Sequence, residues 1–183
     1  MLARLFTLLA LTASALATNV TFRHPIAKPA FQVELLGKLP YNVSLPGGGN
    51  TALIPNRGGT VSGIFNGEII GDLTSAVETV LPSEEGEYSR WDNTLLFANA
   101  EDDRILASIT GTITYANEAL HAFGYATFQT TVPGLEWINY ATFLVEWLAE
   151  FNTGTGTADI FQITTGGRID GKPIDALLPP GKA

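Results

Sequence analysis

Residues 55–72 read PNRGGTVSGIFNGEIIGD, with five glycines, one arginine and two carboxylates in eighteen positions. Two architectures compete for this stretch. A phosphate-cradling loop needs G-x-x-x-x-G-K-[ST] ahead of a helix, so that backbone N–H groups and a lysine reach the phosphates. Here Arg57-Gly58-Gly59-Thr60-Val61 has no such lysine, and a hairpin pattern follows instead of a helix. A dinucleotide fingerprint needs a βαβ unit, and the pattern offers none. The sheet alternative fits better. Residues 61–65 and 68–73 flank Asn66-Gly67, a dipeptide suited to positive φ at both central positions of a type I′ hairpin turn. Gly58, Gly59, Gly63 and Gly71 then relieve crowding where strands of a small barrel bend and coil.

The segments around this hairpin are short and alternating, with turn residues between them. Residues 31–39 set Phe31, Val33 and Leu35 against Gln32 and Glu34. Residues 91–99 follow an acidic loop over 82–87. Residues 104–115 place Ile105, Ala107, Ile109, Gly111, Ile113 and Tyr115 on one face. Residues 121–131 alternate again, with His121, Phe123, Tyr125, Thr127 and Gln129 on one side and Ala122, Gly124, Ala126 and Phe128 on the other. The stretch 135–150 is expected as strand through about residue 145, with ATFLVEWLAEF able to start a helix. Residues 158–165 form the last strand, and a Gly/Pro-rich tail covers 166–183. The sum is an all-β domain, a single antiparallel β-barrel of about eight strands over residues 31–165 with a short helix at most. Closure removes exposed edges, and a barrel of this size is filled by side chains or holds one small ligand. A two-sheet sandwich is the alternative.

The first 17 residues carry Arg4, an apolar run and the Ala15-Leu16-Ala17 exit, the pattern of a secretory signal peptide, with an arm over 18–30 after it. The apolar run is too short to cross a bilayer, which takes about 20 residues, so no membrane anchor is expected after its removal. Asn19-Val20-Thr21 and Asn42-Val43-Ser44 meet the glycosylation rule of a eukaryotic secretory route. The chain of 183 residues has no cysteine and a formal charge of −8. That excludes thiol chemistry and makes nucleic acid a poor partner.

The order of motifs resembles the DUF3237 (UPF0311) β-barrel family over roughly residues 31–165. The resemblance rests on N-R-G-G-T-x-x-G from Asn56, on G-x-x-x-G-D from Gly67, on TLLFANAEDDRILASITG at 94–111 and on LHAFGYATFQTTVPGLEWINYATFLV at 120–145. The family's G-G-x-D-W element is only partly kept in Gly71-Asp72-Leu73. The resemblance implies a small β-barrel. Secreted fungal proteins of this layout resemble cofactor-independent cyclases of secondary-metabolite pathways. Among these are the hetero-Diels–Alderases that join a tropolone quinone methide to a sesquiterpene such as humulene.

The residues themselves narrow the chemistry. His24 and His121 are the only histidines, too few for the usual catalytic metal set, so no metal or cofactor is expected. No G-x-S-x-G nucleophile elbow occurs. A glycosidase would need two converging carboxylates, with Glu34, Asp92, Glu136 and Glu146 as candidates. The expected site is an apolar interior for a hydrophobic small molecule, with His121, Tyr125, Arg57 or Arg90 as hydrogen-bond donor. Phe123, Phe128, Trp91, Trp137, Phe143 and Gln129 would form its lining, the His121 face pointing inward. A lipocalin-like carrier without turnover would use the same pocket, and a surface-interaction module would have none.

Overall fold

The computed structural model describes residues 21–46, 48–80, 88–116, 119–150 and 155–174. Residues 1–17, expected as a signal peptide, Asn19, and residues 82–87, expected as an acidic loop, lie outside them. The chain divides into two compact units, Ala27–Ile163 and Met1–Ile26 with Thr164–Ala183. In the second, Phe22 bridges Arg168, and Arg168 grips Asp170 through Nε (2.8 Å) and Nη2 (2.7 Å).

The elements are strands β1 (Ile26–Gly37), β2 (Tyr41–Ser44), β3 (Asn50–Gly63), β4 (Gly67–Ile69), β5 (Ser75–Val80), β6 (Tyr88–Ala98), β7 (Arg104–Ala116), β8 (Ala119–Thr130), β9 (Thr142–Glu150) and β10 (Thr155–Thr164). A single 3₁₀ turn, Glu136–Tyr140, precedes β9, and no α-helix occurs among the described residues. The sheet runs β1-β10-β9-β8-β7-β6-β4-β3, and β1 also pairs with β3, so the ring closes into an antiparallel β-barrel with eight wall positions. β4 and β5 share one position, one after the other between β3 and β6. β1 and β2 share another along β3.

Asn56 is built into the break between β4 and β5. Its backbone N–H donates to Thr74 O (3.0 Å) and its O accepts from Asp72 N (2.7 Å). Its Nδ2 donates to Thr74 Oγ1, Asn93 Oδ1 and Thr94 O. One amide thus replaces the ladder bonds that neither strand supplies there, as buried backbone groups require.

Two local expectations are corrected. Neither Asn66 nor Gly67 takes positive φ, so the hairpin is not a type I′ turn. Register pairs Val61 with Gly67, leaving a five-residue loop with Gly63 at φ 122°. Gly67 is needed for close approach: a Cβ there would stand 2.3 Å from Ala98 O on β6. In 135–150 the order is reversed. The early part is the 3₁₀ turn, and TFLVEWLAE is strand. Asn139 docks the turn on the end of β8, accepting from Thr130 N (2.8 Å) and donating to Thr130 O (2.9 Å). β2 and β5 were not expected as strands at all.

The barrel is filled unequally along its axis. Near Gly63, Phe97 and Thr130 the inward positions carry Phe31, Phe97, Phe128 and Phe143, all buried. Phe31–Phe128 centroids stand 4.9 Å apart and Phe128–Phe143 4.8 Å, edge to face. Such pairs add about 0.5–1.5 kcal/mol beyond their burial. Ile138 of the 3₁₀ turn is buried in the same core. Toward the other end several inward positions are small: Ala52, Ala76, Ala122 and Ala158 are buried, and Ala149 and Gly156 line open space.

Candidate functional site

That open space is a pocket of about 660 Å³, within the ~300–1,000 Å³ usual for small-molecule sites. It lies where β1, β7 and β9 finish and β3, β8 and β10 begin. Its formation follows from register. Asn42, Ala52, Glu78 and Trp91 are successive cross-strand partners on β2, β3, β5 and β6, and all four line the pocket. Ala52 contributes only a methyl group to this row, so the polar and aromatic neighbours are left facing a void.

The apolar wall is headed by two tryptophans. Trp91 and Trp147 meet edge to face with centroids 5.2 Å apart. Trp147 lies over Gly156, where a Cβ would come within 2.5 Å of the indole nitrogen. Ile54, Ile113 and Leu120 complete this surface.

The polar groups are few and convergent. Glu78 is only 6% exposed. Its Oε1 accepts from Ser89 Oγ at 2.6 Å and from the Tyr115 hydroxyl. Burial pushes the carboxyl above its ordinary value, and the Ser89 bond opposes this in part. Desolvation disfavours the charged form; in the protonated acid, Oε1 would be the carbonyl oxygen that accepts from both hydroxyls and Oε2 would bear the proton. Asn93 and Asn56 stand beyond Glu78 as a buried amide pair (3.0 Å), both lining the pocket. At the rim, Lys38 is tied to Asp72, and Asn50 Nδ2 donates to Asn42 Oδ1 at 3.0 Å.

The residues expected from sequence are distributed differently. Trp91 lines the pocket. Phe128 and Phe143 are buried in the packed end, and Trp137 stands against Phe143 at 6.1 Å; none of the three lines the pocket. The inward orientation of the His121 face is corrected. His121, Phe123, Tyr125 and Gln129 are exposed on the outer wall of β8, Phe123 at 50% and Tyr125 at 60%. His121 pairs there with Glu146 at 3.0 Å. Arg57 and Arg90 are also exposed. The reason is register: Ile113 and Ile109 point inward, and their partners on β8 are Ala122 and Ala126. The carboxylates Glu34, Asp92, Glu136 and Glu146 are exposed as well, and none of them lines the pocket.

Glu78, Tyr115, Asn56, Asn93 and Trp147 were missed as site residues. One signal was available. In SAVETV (75–80) a glutamate alternates in phase with Ala76 and Val80, the placement of an inward carboxyl.

No family model and no curated protein matches the chain. Solved structures do resemble it. A protein of unknown function from Clostridium acetobutylicum superposes with TM-score 0.67 at 18% identity, covering 77% of this chain and all of its own. A beta-barrel like protein from Acinetobacter baumannii gives 0.66 at 15%, covering 78% and 98%. An enzyme from Penicillium herquei gives 0.59 at 20%, covering 78% and 96%. The barrel fold is shared. At these identities the likeness speaks for the fold, which is compatible with a small-molecule-binding or enzymatic barrel.

Proposed function

We propose that this chain is a cofactor-free cyclase acting on a hydrophobic secondary-metabolite intermediate, of the hetero-Diels–Alder type, joining a quinone methide to a terpene alkene. The observation that carries the reading is the buried Glu78–Tyr115–Ser89 group beside the Trp91–Trp147 pair in a largely apolar pocket. Such a reaction needs no nucleophile. It needs two partners held in reactive geometry, for which effective molarities are worth up to about 7–11 kcal/mol. It also gains from a donor aimed at the oxygen on which negative charge develops.

The assignment of the donor moves from the outer-wall residues to Glu78. Its protonated Oε2 hydrogen-bonds the carbonyl of the quinone methide and lowers the barrier to attack by the alkene. Ser89 and Tyr115 hold Oε1 and so fix the rotamer of the acid. Trp91 and Trp147 supply the surface on which the terpene lies. No proton is consumed, because the hydrogen bond strengthens in the transition state and relaxes in the product.

The test is incubation of the purified protein with a quinone-methide precursor and a humulene-type polyene. Stereoselective adduct above the uncatalysed background supports the proposal. Stoichiometric retention of either compound without turnover would make the barrel a carrier.

A further inference from the structure

The sequon Asn42-Val43-Ser44 occupies β2, and its position in the barrel gives it a second meaning. β2 pairs with β3 alone among the described strands, so the wall is unsealed along its other edge. Register matches Asn42 with Ala52 and Ser44 with Asn50. Ala52 and Asn50 line the pocket, and so does Asn42, while Tyr41 and Val43 point outward and are exposed. Asn42 is itself exposed, which puts it on the rim where the pocket meets solvent. Ala149, Glu150 and Gly156 of β9 and β10 also line the pocket.

The amide is also held in a usable orientation. Its Oδ1 accepts from Asn50 Nδ2 at 3.0 Å, and its Nδ2 makes no hydrogen bond to the described residues. N-glycosylation uses Nδ2 and leaves Oδ1 a carbonyl acceptor, so the rim contact survives modification.

We propose that Asn42 carries an N-linked glycan that stands over the pocket entrance and restricts the width of ligand admitted. The proposal rests on reading the pocket as a small-molecule site. The modifying step transfers an oligosaccharide from a polyprenyl-diphosphate donor. The bond between Nδ2 and sugar C1 forms, the bond from C1 to the diphosphate oxygen breaks, and the amide gives one proton to solvent. The first sugar then lies at the edge of the pocket, and the remainder of the glycan extends from it. Narrow apolar molecules still pass, and broad rigid ones are slowed.

The experiment uses the full chain made in a eukaryotic secretory host, as wild type, Asn42→Gln and Ser44→Ala. Ser44 is outside the pocket lining, so Ser44→Ala removes the sequon and keeps the Asn42–Asn50 contact. Intact mass reads occupancy. Stopped-flow fluorescence reads association of two neutral apolar dyes, the narrow N-phenyl-1-naphthylamine and the broad Nile red. The expected result is one glycan fewer in both variants, with Nile red entering at least tenfold faster than in wild type and the narrow dye within twofold. Equal masses overturn the proposal, since Asn42 is then unmodified. A glycan that leaves both dyes unaffected overturns the gating role. Failure of every form to bind either dye would remove the pocket reading itself, and the gate with it.

Discussion

The unequal filling of the barrel makes a sharp prediction for two alanines that look alike in sequence. Ala52 and Ala126 are both buried, at 5% and 2% exposure, and both point inward. Ala52 faces the pocket. Ala126 lies between register partners Ile109 and Phe143, both buried in the core. Leucine adds three carbons at either site. At Ala126 there is no room, and overpacking of a close-packed core costs about 1–3 kcal/mol. At Ala52 the same carbons enter a 660 Å³ space. At ~0.8 kcal/mol per buried CH₂ the gain there has a ceiling near 2 kcal/mol, reduced toward zero by the open rim. Urea unfolding followed by tryptophan emission should therefore separate Ala52→Leu from Ala126→Leu by at least about 1 kcal/mol, with unchanged m. Equal destabilisation of the two variants would refute the hollow end. So would a loss at Ala52→Leu greater than that at Ala126→Leu.

Other consequences follow from the same geometry. Glu78 has its folded-state pKa raised above the ordinary 4.5 by burial, so the fold prefers the protonated acid. Stability from this group is full below about 4.5 and falls as pH rises from there through the raised folded value; in urea titrations across pH, Glu78→Gln should remove that slope, and an unchanged slope would exclude Glu78 as its source. Gly67→Ala would bring a Cβ to 2.3 Å from Ala98 O and should destabilise by more than about 2 kcal/mol in urea, since the obstacle is backbone. Gly156→Ala would press on Trp147 and should shift tryptophan emission and weaken apolar-dye binding while the protein stays folded. Unchanged emission and binding would contradict the stacked arrangement.

Much of the fold was legible because the alternation in β7 and the glycines of 55–72 leave few choices. β7 begins at Arg104 as expected, and its isoleucines point inward as their spacing requires. The site was harder to read, for a physical reason. Hydrophobicity assigns the bulkier face inward, so Phe123 and Tyr125 were expected inside and Ala122, Gly124 and Ala126 outside. The barrel inverts this along β8, because bulky inward side chains of its neighbours fill the space there: Ala122 is paired with Ile113 and Trp147, and Ala126 with Ile109 and Phe143. Counting across the β7–β8 hairpin, where Ile113 meets Ala122, would have settled the face. The break between β4 and β5 was hidden differently. Asn56 reads as a loop polar residue in PNRGG, and only the three acceptors gathered around its Nδ2 reveal it as a staple. β2 was hidden because its four residues are all exposed, which leaves no buried face to betray a strand.

The most direct test of the Glu78 assignment is the pH–rate profile for adduct formation in wild type, Glu78→Gln, Glu78→Leu and His121→Ala. The account predicts a wild-type rate that falls as pH rises through the elevated Glu78 pKa, because the donor proton is lost. It predicts an overlapping profile for His121→Ala, whose imidazole is on the outer wall. For Glu78→Gln, whose amide Nε2 still donates, it predicts a rate that is flat with pH, and for Glu78→Leu, which has no donor, a rate lower by about 10²-fold or more. A Glu78→Gln enzyme that keeps the wild-type pH dependence, a Glu78→Leu enzyme that keeps the wild-type rate, or a His121→Ala enzyme that loses either, would contradict it.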